Sequence, residues 1–180
     1  MEQLDFKISK LETNADGERL IIKGYASVFG NINSYGYTFD KGAFSNSIQK
    51  GGVKFLFNHN PDMVLGGFVE LKEDDYGLYF EAVCNAKVQQ AQEVHALVAS
   101  GDLTGASIGF VTLKEATIDG VLHKQAVDLW EISIVTFPAN ELAVVEANAK
   151  NDAMNGEMNC IFQAVDNLRL KINSLDKFFC

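Results

Sequence analysis

A chain of 180 residues with 47% hydrophobic content can bury one well-packed core plus an appendage, and is too short for two full domains. Its 15 Lys and Arg against 24 Asp and Glu leave a net charge of -9, which repels a phosphate backbone and argues against direct nucleic-acid binding. No stretch approaches the roughly 18 apolar residues of a membrane span, MEQLDFKISK lacks an apolar signal core, and Cys84, Cys160 and Cys180 lie too far apart for a disulfide framework or zinc knuckle, so the reading is a soluble cytoplasmic protein with free thiols.

Residues 5–29 alternate in DFKISKLE and again in RLIIKGYASVFG, with Asp16-Gly17 between them, the pattern of two strands joined by a tight turn. NINSYGYTFDKG has no sustained period and reads as a long loop, able to edge a substrate groove, that runs into a short helix AFSNSIQK closed by Gly51. VKFLFNH, GFVELKED and GLYFEAVC are strand-like by their β-branched and aromatic content. The segment AKVQQAQEVHALVAS sets Val88, Ala91, Val94, His95 and Val98 on one helical stripe, with Asn85 as N-cap and Gly101 as C-cap.

LTGASIGFVTL and VLHKQAVDLWEISIVTF follow as adjacent strands on either side of an IDG turn, ending at Pro138. About seven strands with two inserted helices favour a mainly-β α+β fold, a compact closed or nearly closed β-barrel, over a parallel sheet that needs a helix after most strands. The barrel domain is expected over residues 1–147 and a linker over 148–159. A C-terminal amphipathic helix is expected over 160–180, where Ile161, Val165, Leu168, Ile172, Leu175 and Phe179 recur at heptad spacing. That helix pairs with itself in a homo-oligomer, docks on a partner such as scaffold, or packs on its own domain.

Three side chains stand out chemically. His59 lies where the apolar strand of KFLFNHN gives way to Asn60-Pro61-Asp62, at a sheet rim where a base would be exposed; a histidine at a strand end is also often merely structural. Ser107, in GDLTGASIGF, is collared by Gly105, Ala106 and Gly109, which either strip bulk from around a nucleophile or mark a bulge. The glycine offsets are not those of the GxSxG elbow. Glu131, in VDLWEISIVTFPAN, either points to water with Asp128 or lies buried, and a buried carboxylate requires a partner such as His59. His95 and His123 have no ligand-like neighbours in the sequence and are read as structural; no metal or other cofactor is expected.

GYASVFGN, FNHN and the pair GASIGF with WEISIVTFPAN resemble, in order and approximate spacing, the prohead protease family of tailed phages, whose fold is similar to that of the herpesvirus assemblin proteases. The resemblance covers about residues 5–147. It implies a serine endopeptidase with Ser107 as nucleophile, His59 as base and Glu131 as third member, the last standing where the herpesvirus enzymes have a second histidine. It also implies an oxyanion loop at Phe137-Pro138-Ala139-Asn140, here without arginine, so that backbone N–H groups around Ala139 and Asn140 would bind the oxyanion. The implied substrates are scaffold segments or the N-terminal arm of the major capsid protein, cut inside the assembling prohead in the host cytoplasm, with self-cleavage near the tail as a corollary. The competing readings are a catalytically inactive capsid-internal scaffold or assembly protein with the same barrel, a small-ligand-binding barrel, and a cysteine hydrolase using Cys84.

Overall fold

The computed structural model describes residues 19–148. Eight strands and two helices run in the order β1 (Leu20–Val28), β2 (Tyr37–Phe39), α1 (Ser45–Lys50), β3 (Lys54–Phe57), β4 (Asn60–Glu73), β5 (Gly77–Cys84), α2 (Gln89–Ala99), β6 (Gly105–Ile118), β7 (Val121–Val135) and β8 (Val145–Ala147). The expected strand over DFKISKLE, and the expected linker and helix beyond Asn148, lie outside the described residues.

All eight strands belong to one mainly antiparallel sheet, of order β2-β7-β3-β4-β5-β1-β8 with β6 on the other side of β7. The long strand β7 organises the site. One of its edges pairs antiparallel with β6 along most of its length, while its other edge pairs parallel with β2 at Leu122–Lys124 and with β3 at Glu131–Ile134. β2 is a short strand inside the segment read from sequence as loop; three residues carry too little periodic signal to be seen in isolation.

Of the closed or nearly closed barrel expected from the sequence, closure is corrected: among the described residues the sheet does not close. Between its two ends the described residues form only an isolated antiparallel bridge, Gly105 to Val144, with the Ala106 N–H donating to the Ala143 carbonyl at 3.0 Å. The strand after Pro138 is interrupted by the loop through Asn140, so the ladder that would complete a barrel is reduced to a single point.

The sheet curls around one core. Ile22, Phe44, Phe55, Leu65, Leu78, Phe80, Ile132 and Ile134 are fully buried, with α2 contributing Ala91, Val94 and Val98 from the stripe read in the sequence. Phe55, Phe68 and Phe80 pack with centroids 5.5–5.9 Å apart across β3, β4 and β5, within the range where aromatic pairs add to plain burial. Asn85 does not cap α2, which begins after Val88; its side chain instead accepts from the Lys87 N–H at 3.0 Å in a turn leading into the helix. Gly101, just past the helix end, adopts φ 82° and donates to the Val98 carbonyl, the left-handed exit that glycine takes without strain.

Candidate active site

The β3–β4 hairpin places His59. Phe57 pairs with Asn60, so the turn is only Asn58-His59, and both residues take positive φ, 50° and 57°. A two-residue hairpin of this hand requires φ > 0 at both central positions, and Asn and His are among the side chains that tolerate it best. The turn is held to β7: the Asn58 N–H donates to the Ile134 carbonyl at 3.0 Å, and the His59 N–H to the Ser133 hydroxyl at 3.0 Å. The imidazole thus sits at the sheet rim expected from the sequence, with its side chain 45% exposed.

Glu131 lies on β7 opposite Lys54 of β3 and Gly109 of β6. Its side chain is only 12% exposed, which removes the outward-pointing reading. One carboxylate oxygen, Oε1, is 2.6 Å from His59 Nδ1, and the other, Oε2, accepts from the Ser133 hydroxyl at 2.6 Å. A carboxylate accepts and does not donate, so Nδ1 carries the hydrogen of this contact, and in the neutral imidazole that tautomer leaves Nε2 as the acceptor. The imidazole is therefore oriented and in the tautomer required of a general base.

Ser107 is on β6 directly across from Ser133, and is 8% exposed. Because Ser133 in turn binds the His59 backbone and Glu131, the ladder brings Ser107, His59 and Glu131 to one end of the β6-β7-β3 sheet. Ser107 and His59 line a common open cleft of about 630 Å³ together with Ser34, Tyr35, Asn58, Phe137, Pro138 and Ala139. Both also line a narrower recess of about 100 Å³ walled by Tyr35, Tyr37, Phe39 and Ile108. The segment 31–42, read as a possible groove edge, supplies Ser34, Tyr35 and Tyr37 to these walls.

The glycine collar has specific uses. A Cβ at Gly109 would lie 2.3 Å from Glu131 Oε1, so the missing side chain is what admits the carboxylate. A Cβ at Gly105 would meet the Pro138 ring at 2.8 Å, so Gly105 lets the 137–140 loop approach β6. That loop lines the cleft at Ala139, and Ala139 and Asn140 both border the recess. The Asn140 side chain accepts from Asn31 Nδ2 at 2.8 Å and from the Leu142 N–H at 3.1 Å, and donates to the Val28 carbonyl at 3.3 Å. This side chain thus braces the loop, whose backbone N–H groups at Ala139 and Asn140 are the oxyanion donors expected from the sequence. Among the described residues neither N–H donates to another protein group.

The remaining histidines lie elsewhere. His95 is buried, with Nε2 2.8 Å from Asn148 Oδ1. His123 pairs with Asp40 at 2.6 Å where β2 meets β7, and neither residue lines the cleft or the recess. A histidine–carboxylate pair alone is thus no signature; the nearby hydroxyl distinguishes His59. Cys84 is fully buried, and burial pushes its thiol up to about 12, which keeps it from forming the thiolate a cysteine hydrolase needs. Sequence reasoning missed Ser133. The available signal was its i+2 spacing from Glu131 in a strand, which puts both side chains on one face.

Comparison with known proteins identifies the family and the fold. The prohead protease of Enterobacteria phage HK97 is 34% identical over 160 residues, covering 86% of this chain and 71% of that protein. Among solved structures, Kaposi's sarcoma herpesvirus (KSHV) protease in complex with a hexapeptide phosphonate inhibitor matches with a TM-score of 0.54 at 12% identity, over 83% of this chain and 77% of that one. Varicella-zoster virus protease matches with a TM-score of 0.51 at 12% identity over the same shares. At that identity the likeness is one of fold. A model of the caudovirus prohead serine protease family matches residues 5–157, and the chain belongs to that family.

Proposed function

We propose that this family member is the endopeptidase of prohead maturation and that it works through Ser107, His59 and Glu131. The observation carrying the reading is the His59 Nδ1–Glu131 Oε1 contact of 2.6 Å, made by a histidine that lines the same cleft as Ser107. In this reading His59 Nε2 is the acceptor for the Ser107 hydroxyl hydrogen.

Ser107 Oγ attacks the scissile carbonyl carbon while its proton passes to His59 Nε2. Glu131 steadies the imidazolium, remaining ionised itself. The negative charge that develops on the carbonyl oxygen is met by the N–H groups of Ala139 and Asn140; one such donor accounts for about 10²–10³ in rate. The tetrahedral intermediate collapses to an acyl ester on Ser107 as His59 returns the proton to the leaving amine. Water, deprotonated by His59, then attacks the ester and frees the serine. No cofactor enters these steps.

The substrates in this reading are scaffold segments or the N-terminal arm of the major capsid protein, within the assembling prohead. Cleavage of the chain's own tail is part of the same proposal, since a covalently attached segment meets a site of its own chain at a raised effective concentration. The rival reading, an inactive assembly protein with this fold, is separated by a fluorophosphonate probe followed by peptide mapping. Modification confined to Ser107 supports the protease mechanism; absence of labelling in an assembled sample supports the rival.

A further inference from the structure

Ser133 has no role in the three-residue scheme, yet it touches two of its members and faces the third. It is completely buried on β7, opposite Ser107 in the antiparallel ladder and opposite Leu56 in the parallel one. Its single hydroxyl hydrogen is directed to Glu131 Oε2 at 2.6 Å, and its lone pair receives the His59 backbone N–H at 3.0 Å. A carboxylate only accepts and an amide N–H only donates, so both roles of the hydroxyl are fixed together.

Two consequences follow. With Oε2 held by Ser133 and Oε1 by His59 Nδ1, the carboxylate cannot rotate about its terminal bond without breaking one charge-assisted hydrogen bond. The His59 backbone, at φ 57°, is in a conformation that non-glycine residues adopt at a cost, and the Ser133 hydroxyl is one of two β7 acceptors tying the backbone of that turn to the strand bearing Glu131.

We infer that Ser133 is a positioning residue for the reaction: it locks the Glu131 carboxylate and the backbone of His59 in mutual register, so that His59 Nε2 is held toward Ser107. The inference rests on the proposed roles of Ser107, His59 and Glu131. It assigns Ser133 an effect on the chemical step rather than on substrate binding, because Ser133 lines neither the cleft nor the recess.

The test is the rate of inactivation of the full-length protein by a fluorophosphonate, resolved into kinact and KI. Ser133→Ala is expected to lower kinact by about 10- to 100-fold, the scale of a displacement of about 1 Å among reacting groups, with KI changed less than about threefold. Ser133→Thr, which restores the hydroxyl on a side chain suited to a strand, is expected to recover most of the loss. A folded Ser133→Ala protein with kinact within about twofold of the parent overturns the inference, as does an equal loss in folded Ser133→Ala and Ser133→Thr. Should Ser133→Ala not fold, Ser133→Cys takes its place as a near-isosteric weak donor: a fall in kinact supports the inference and an unchanged kinact overturns it. Ser107→Ala run alongside separates the two levels. Labelling that persists without Ser107 defeats the underlying mechanism, whereas labelling abolished in Ser107→Ala but unaffected in Ser133→Ala defeats only the role of Ser133.

Discussion

Gly109 stands opposite Glu131 in the β6–β7 ladder, and the hydrogen it carries in place of a Cβ leaves room for the carboxylate that holds His59. Gly109→Ala would put a methyl 2.3 Å from Oε1, and the far end of the glutamate would have to swing away. We expect a fall in peptidase rate of at least about 10-fold from the lost alignment, with the thermal midpoint lowered by only a few degrees because a flexible side chain absorbs the strain. Paired activity and melting measurements check this; full activity in Gly109→Ala would mean that Glu131 is not where the chemistry needs it.

The hierarchy among the proposed catalytic groups can be read from single substitutions. His59→Ala removes the base and should cost about 10⁶ in kcat, whereas Glu131→Gln keeps the shape, removes the charge and should cost about 10⁴. Steady-state kinetics on a peptide from the capsid precursor supply the comparison. An equal or larger loss from Glu131→Gln would assign the carboxylate a more direct part than orientation.

Cys84 gives a prediction in alkali. Burial raises its thiol from 9.0 to about 12, so above pH 9 the unfolded chain releases a proton that the folded chain retains. The unfolded state is thereby favoured, and the stability present below pH 9 is lost as pH rises toward 12, with a limiting slope of about 1.4 kcal/mol per pH unit from this group. Denaturant unfolding between pH 8 and 11 should show a shallower decline in Cys84→Ala than in the parent. Cysteine-directed labelling of the native protein should likewise spare Cys84, and rapid native modification there would contradict its burial.

Asp74 predicts the opposite limb. It accepts from the Tyr25 hydroxyl at 2.6 Å and from the N–H groups of Tyr76 and Gly77 at 2.7 and 2.9 Å, closing the β4–β5 turn. Burial by itself would raise its carboxyl, but these three donors outweigh it and hold the group below 3.8. Its contribution is therefore present above 3.8 and is lost as pH falls through the lowered value. Asp74→Ala should cost about 1–2 kcal/mol at neutral pH and blunt the acid loss of stability; an unchanged acid transition would contradict this.

The site was legible where local chemistry and register coincide. Taken singly, the strand-end His59, the small residues around Ser107 and the carboxylate inside an apolar strand each also fitted a structural reading, and it was the family resemblance that joined them into one candidate site. The function of Gly109 was not legible, because it depends on which residue of β7 lies opposite, a pairing set by the Asp119-Gly120 turn and by register shifts after Gly109, Thr112 and Lys114. Ser133 was hidden for the same reason: its partners lie 2 residues away on its own strand and 74 residues away in a turn. The barrel expectation went too far because alternation specifies strands but not whether the last edge meets the first. Here that edge is broken by the loop through Asn140, whose side chain is tied to Asn31 and Val28 instead.

The central claim is that Ser107 is the nucleophile, and the most direct measurement is processing of the capsid precursor by Ser107→Ala in assembling particles. A folded variant that incorporates normally and leaves the precursor uncut is the expected result. Continued cleavage at the same bond by that variant, freed of parent enzyme, would contradict the account.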